Sequence, residues 1–293
     1  MRVYRFSSVV LVSLVLLGIG CSLGFVPWLQ PAMAQDVPAG TGVPNYWDSS
    51  HRYEKPNLSE IRRIRFLTEA DNPPFSFIGA DGNPTGFLVD LTRALCEEIP
   101  VQCTLQPMRW DVLLQGIERG LGDAIISTMA IDRAPADRFI FTNRFLARPA
   151  RFVARRGTEL RDATPETLAG RSVGVVARTA HEAYLRDLFP EAGIAPFETA
   201  EEAREALRGE KVDLVFGDGI NLSLWLNGAV SGDCCRFVGG PFTESRYFGE
   251  GLAIAVAPEG RTLLRALDFA LARVHRSGEY EEIYRRHFPI SFY

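Results

Sequence analysis

Short apolar runs alternate along most of this chain with segments in which apolar residues recur every three or four positions. The first kind reads as buried strands and the second as amphipathic helices, so the pattern predicts an α/β fold. From Ile64, "IRFLT" is a strand, "NPPFSF" a loop and "DGNPTG" a turn, after which Leu88, Leu91 and Leu95 fall at helical spacing. A second helix is expected after Trp110, with Asp111 at its start, Leu113, Leu114, Ile117 and Leu121 on one side and Gly120 near its end. It leads into the strand "GDAIIS", which breaks at Ser127 and Thr128; a further helix is expected to start at Asp132, with Pro135 tolerated in its first turn. The stretch "GRSVGVVARTAHEAYLRDLF" predicts a strand, a loop at Ala177 and Arg178, and a helix capped by Thr179. Next, "EEAREALRGEKVDLVFGDG" repeats the order of amphipathic helix, glycine and strand, ending at Asp218. One supersecondary unit used twice predicts two similar lobes. Leu263, Leu267, Leu271 and Val274 mark a core-facing helix stopped by Gly278.

The N-terminal segment follows another pattern. Arg2 and Arg5 precede an apolar run from Val9 to Phe25, and Ala32 and Ala34 straddle Met33. This is the layout of a secretory signal peptide, residues 1–34, cleaved after Ala34. The run approaches the length of a membrane span, so an uncleaved anchor is the alternative, and a lipidated Cys21 is a third option. Residues 35–62, rich in Pro, Gly and polar side chains, read as an extended leader. Cleavage leaves 259 of the 293 residues, enough for two compact lobes. The boundaries expected are 63–147 for the first lobe, 148–243 for the second and 244–293 for a return to the first.

Loss of Arg2 and Arg5 reduces 32 basic residues to 30 against 36 acidic ones, a formal charge of −6. No basic cluster points to nucleic acid, and no second apolar stretch is long enough for a membrane span. An exported chain oxidises its cysteines. Cys96 and Cys103, at a helix end and a strand start, are placed for a short bridge, whereas a bridge between the adjacent Cys234 and Cys235 would be strained. No histidine lies near either pair, so neither a metal site nor a cofactor is expected.

Ligands of open α/β sheets collect at the carboxyl ends of strands. Four such ends carry polar or aromatic residues: Glu69 to Phe75, Ser127 to Arg133, Arg178 to His181, and Asp218. Helices starting near Asp132 and Thr179 aim free backbone N–H groups at this space, which favours an anion such as a carboxylate. A carboxylate that ends an apolar strand, as Asp218 does, is costly without a cationic partner. Plainer readings exist for the others: Trp110 as core, His181 as a surface residue of a first helical turn, Ser127 and Thr128 as residues that merely start a helix.

The segments "NPPFSF", "GFLVDLTRALCEEIPVQC", "GDAIISTMAI", "VGVV", "VDLVFGD" and "FGEGLAI" occur in the same order as in the periplasmic polar amino-acid binding proteins of ABC transporters. The chain resembles that family over roughly residues 63–290, and the spacing of Cys96 and Cys103 resembles that of its histidine and lysine/arginine/ornithine binders. The resemblance implies a two-lobe, type II periplasmic-binding-protein-like α/β fold with a hinge of two crossover strands. It also implies a periplasmic monomer that binds a small polar, amino-acid-like or amine solute for an ABC permease in the inner membrane, without catalysis. Carried over by position, it assigns ligand contacts to Ser127, Thr128 and the backbone at Ala130 in one lobe and to Thr179 and His181 in the other. Trp110 packs on the ligand side chain and Asp218 takes its α-ammonium; Glu69 and Asn72 occupy the remaining strand end before Phe75.

One position departs from the family pattern. The arginine that grips a ligand carboxylate bidentately would fall at Pro135. At ~100° per residue, a helix turns Arg133 about 200° from position 135, while Arg138 lies about 60° short of a full turn and leans back toward the cleft. Arg178, where the family has a small residue, is the other substitute; Arg138 and Arg178 rank equal, ahead of Arg133. Two rival functions use the same residues. One is a periplasmic enzyme on this fold, dehydratase-like, with Glu69 and His181 as acid and base; the other is a ligand-sensing accessory protein, supported by the long leader.

Overall fold

The computed structural model describes residues 56–59, 61–131 and 137–293. The signal peptide, most of the leader and the expected helix start from Asp132 through Arg133 to Pro135 lie outside the described residues.

Strand β1 (Arg63–Glu69) is followed by three very short strands, β2 (Asp71–Asn72), β3 (Ser76–Ile78) and β4 (Pro84–Thr85), then α1 (Phe87–Glu98), β5 (Gln102–Met108), α2 (Trp110–Glu118), β6 (Ala124–Ile125) and β7 (Ile140–Phe141). The chain then builds β8 (Ala150–Arg155), β9 (Ser172–Val176), α3 (Ala180–Leu188), β10 (Gly193–Phe197), α4 (Ala200–Arg208), β11 (Leu214–Asp218), α5 (Gly219–Asn227), β12 (Cys235–Phe242) and the short α6 (Ser245–Phe248). It closes with β13 (Ala255–Val256), α7 (Arg261–Ser277) and α8 (Glu279–His287).

Two five-stranded sheets result, ordered β5-β1-β6-β13-β7 and β10-β9-β11-β8-β12. In each, a parallel trio is extended by antiparallel strands. Because β13 follows the whole second sheet in sequence yet pairs with β6 and β7, the chain crosses between sheets twice. Leu146 and Leu252 form a bridge between the two crossovers. This is the two-lobe α/β fold expected.

Alternation along β1 sends Ile64 and Phe66 to one face, where they meet Leu88, Leu91 and Leu95 of α1 and Leu267, Leu271 and Val274 of α7. Leu67 goes to the other face, against Leu113 of α2 and Ile125 of β6. In the second lobe, Phe152 and Phe216 sit with Tyr184 and Leu185 of α3, while Val153 and Val215 sit with Leu207 and Trp225. Each fully buried side chain of this size contributes ~1.5–3 kcal/mol, so two-faced sheets provide a separate core for each lobe. Helix starts follow their local chemistry: the side-chain oxygens of Thr179, Thr199 and Asp218 accept the backbone N–H three residues on. Gly278, at φ 84°, stops α7 in the left-handed conformation that glycine adopts without cost.

The structure differs from the sequence pattern in three places. "NPPFSF" and "DGNPTG" are not simple loop and turn but contribute β2, β3 and β4 to a small antiparallel sheet, whose strands are too short to leave a periodic trace. Asp137 and Arg138 form a turn, so the helical register used to aim Arg138 at the cleft does not hold. Cys234 and Cys235 are joined to each other, in a turn where Gly232 and Asp233 both have positive φ. Cys96, near the end of α1, is bonded to Cys103 of β5, their Cα atoms 6.0 Å apart.

Candidate functional site

The carboxyl ends of the two parallel trios frame a cleft of about 1120 Å³, slightly larger than the roughly 300–1,000 Å³ of small-molecule pockets. Register explains what enters it. Glu69 ends β1 opposite Met108, which brings it beside Trp110 at the start of α2. Asp218 ends β11 opposite Ala150, just beyond the crossover that carries Arg148.

Of the residues expected at the site, Glu69, Asn72, Trp110, Thr128, Ala130, Arg178, Thr179, His181 and Asp218 line the cleft. Three do not. Phe75 is buried among Phe87 and Phe288 in the first core. Ser127 is buried as well, its hydroxyl accepting the backbone N–H of Met129. Arg138 turns its guanidinium onto Glu118 and lies 5.9 Å from the centroid of the Phe139 ring, outside the cleft.

The first lobe supplies an acid floor. Glu69 is only 3 % exposed, and its carboxylate accepts the Asn72 amide at 2.9 Å and the Thr128 backbone N–H at 3.2 Å. Asn72 also donates to the Thr128 hydroxyl at 2.9 Å, tying β2 to the loop after β6. Burial raises the Glu69 pKa, against the opposing pull of these hydrogen bonds and of the Arg148 charge. Trp110, 52 % exposed, stands at the rim with Arg109 and Asp111, which pair with each other.

The second lobe supplies a helix N-terminus and aromatic faces. The Thr179 hydroxyl caps α3, and His181 in its first turn stacks on Phe248 with ring centroids 5.3 Å apart. Burial lowers the His181 pKa, and the nearby Arg148 charge lowers it further while Asp218 opposes. The neutral imidazole is favoured. Arg178 adopts φ 58°, a left-handed conformation uncommon outside glycine, and its guanidinium points to Glu198.

Sequence reasoning missed Arg148, together with Tyr247 and Phe248 on α6. Arg148 donates from Nε and Nη2 to the same oxygen of Asp218, at 3.2 and 3.0 Å. Its neighbours Arg144, Arg151, Arg155 and Arg156 make it one of many in the sequence, and no local pattern sets it apart from them. Among the described residues, no group of three or more His, Cys, Asp or Glu is arranged to hold a metal, and no helix is long and apolar enough to cross a membrane.

The sequence profile of the bacterial extracellular solute-binding proteins, family 3, matches residues 64–290. The chain belongs to that family. It is thus a solute-binding protein of the ABC-transporter type. It is 32% identical to the L-arginine-binding protein of Pseudomonas aeruginosa over 240 residues, covering 81% of this chain and 92% of that one. It is 31% identical to ABC transporter arginine-binding protein 1 of Escherichia coli (strain K12) over 231 residues, covering 79% and 93%. Among solved structures, the L-cystine solute receptor of Neisseria gonorrhoeae superposes with a TM-score of 0.68 at 16% identity, covering 78% of this chain and 94% of that one. At that identity the likeness concerns the fold alone.

Proposed function

We propose that this family 3 protein captures a cationic, amino-acid-like solute between its lobes in the periplasm and delivers it, as a monomer, to an ABC permease in the inner membrane. The observation that carries the reading is Glu69: a buried carboxylate at the cleft floor that forms no ion pair with any described residue and is held by neutral donors. Burying such a charge costs free energy that a ligand ammonium or guanidinium would recover. Trp110, Tyr247 and Phe248 add π faces suited to a cation. The arginine-binding names of the two relatives above support the same ligand class.

No catalytic step is proposed. Glu69 and His181, the acid and base of the rival enzyme reading, are not bonded to each other: the first is held by Asn72 and Thr128, and the second is stacked on Phe248. A thermal-shift screen of arginine, lysine, ornithine, glutamate, glutamine and simple amines tests the function. A ligand at 100 times its Kd should stabilise the protein by about 2.7 kcal/mol. Stabilisation confined to acidic or neutral solutes would reject the cationic class, and conversion of the ligand during incubation would reject the binding-only reading.

A further inference from the structure

The cleft holds an ion pair that such a ligand has to open. Both oxygens of Asp218 are engaged: Oδ1 accepts the backbone N–H of Asn221 at 2.9 Å and Oδ2 accepts the two Arg148 donors. The Asp218 side chain is 15% exposed and that of Arg148 39%, so the pair faces the cleft without being free in solvent. The backbone on each side of Arg148 is fixed. The Tyr293 hydroxyl bonds both the N–H and the carbonyl of Ala147, each at 3.0 Å, and the Pro149 carbonyl accepts the Gly219 N–H at 2.8 Å. A Cβ at position 219 would come within 2.8 Å of that same carbonyl oxygen. Glycine therefore holds the crossover close to the start of α5, with the Arg148 side chain directed at Asp218.

The other candidate arginines are poorly placed to bind a carboxylate. Position 135 is a proline, Arg138 is occupied by Glu118 outside the cleft, and Arg178 is highly exposed and paired with Glu198.

Resting on the reading of the cleft as an amino-acid site, we infer that Arg148 is its carboxylate-binding residue. A zwitterion inserts between Arg148 and Asp218, giving its carboxylate to the first and its ammonium to the second. One ion pair is exchanged for two, and no charge is left without a partner when the lobes close. An amine lacking the carboxylate would take Asp218 and leave the Arg148 guanidinium unpaired, a penalty that grows as water is excluded. An acid lacking the amine would strand Asp218 in the same way. The pair thus selects for zwitterions, and it does so from the hinge segment instead of from position 135.

Calorimetry with L-arginine and with its decarboxylated analogue agmatine, on the wild-type protein and on Arg148→Met, tests the inference. The wild-type protein is expected to prefer arginine by 100-fold or more. In Arg148→Met, arginine should weaken at least tenfold while agmatine binds as well as before or better, because Asp218 is released. An unchanged arginine-to-agmatine ratio in the variant overturns the assignment and leaves the amino-acid site standing. A wild-type protein that binds neither compound nor any other amino acid overturns the site itself, and the inference with it. Should Arg148→Met fail to fold, Arg148→Lys retains the charge but loses the two-donor geometry; there a ratio reduced at least severalfold supports the assignment, and an unchanged one refutes it.

Discussion

The backbone N–H of Thr128 lies 3.2 Å from each oxygen of the Glu69 carboxylate, across a sequence separation of 59 residues. This contact ties the end of β1 to the loop after β6 and fixes the carboxylate in the cleft. Burial is the dominant influence on Glu69 and raises its pKa, so the protonated form persists to higher pH than in an ordinary glutamate.

A cationic ligand needs the ionised form. Its affinity should therefore fall as pH decreases through the Glu69 titration, and binding above that range should show little proton release. Glu69→Gln keeps the shape and removes the charge; it should weaken a basic amino acid by at least tenfold, on the order of 1.4 kcal/mol or more, and flatten the pH dependence. Calorimetry at pH 5 and pH 7 checks both. Wild-type affinity in the variant would show that the ligand's cation lies elsewhere.

Gly86 carries a separate prediction about the first lobe. It precedes α1 at φ 122°, and a Cβ there would lie 2.4 Å from the Phe75 carbonyl oxygen. Backbone does not yield as a side-chain tip does. Gly86→Ala should cost roughly 2–4 kcal/mol, since a strained conformation and a steric clash act together. Urea unfolding measures the loss; a variant within 0.5 kcal/mol of wild type, by the ordinary scatter of surface substitutions, would mean that the backbone at Phe75 and Gly86 can relax.

The split into two lobes was legible because the helix, glycine and strand order appears twice, once before Ser127 and once before Asp218. Strand ends located most of the cleft for the same reason: Glu69, Thr128, Thr179 and Asp218 each follow an apolar run. Phe75 and Ser127 were misplaced because proximity to a strand end says nothing about the side from which a residue is buried. Arg138 was misplaced by a helical register that the turn at Asp137 and Arg138 interrupts. Arg148 was invisible for a different reason. Its role depends on a crossover whose position is set by β13 returning to the first sheet, and no local pattern encodes that pairing.

Arg151 on β8 offers a test of burial against charge. It is 7 % exposed, lies 4.4 Å from the centroid of the Phe237 ring, and has no hydrogen-bond partner at Nε or Nη1 among the described residues. Burial pulls its pKa down to about 10. A cation–π contact contributes at most about 2 kcal/mol, whereas desolvating a charge without an anion costs several. Arg151→Met, similar in length and apolar, should leave stability unchanged or raise it by about 1 kcal/mol. A melting temperature lowered by several degrees would reveal an anionic partner for Arg151 in the folded protein.

His275 is one of several buried groups that make the stability of the first lobe depend on pH. It lies in the last turn of α7 and stacks on Tyr280 with ring centroids 4.0 Å apart; burial lowers its pKa to about 4 from 6.5. Between those two values the unfolded chain takes up a proton that the folded protein refuses. Stability should therefore rise with pH from about 4 to 6.5 and level off above, with a contribution on the order of 3 kcal/mol. Glu69 and Asp268, whose pKa values burial raises, tilt the curve the other way, so the wild-type profile alone does not isolate the histidine. His275→Phe keeps a ring against Tyr280 and cannot titrate. Urea unfolding of both proteins at pH 4.5 and pH 7 should show the variant losing less stability on acidification than the wild type. Parallel losses would mean that the imidazole accepts its proton in the folded state, and that burial does not hold it neutral.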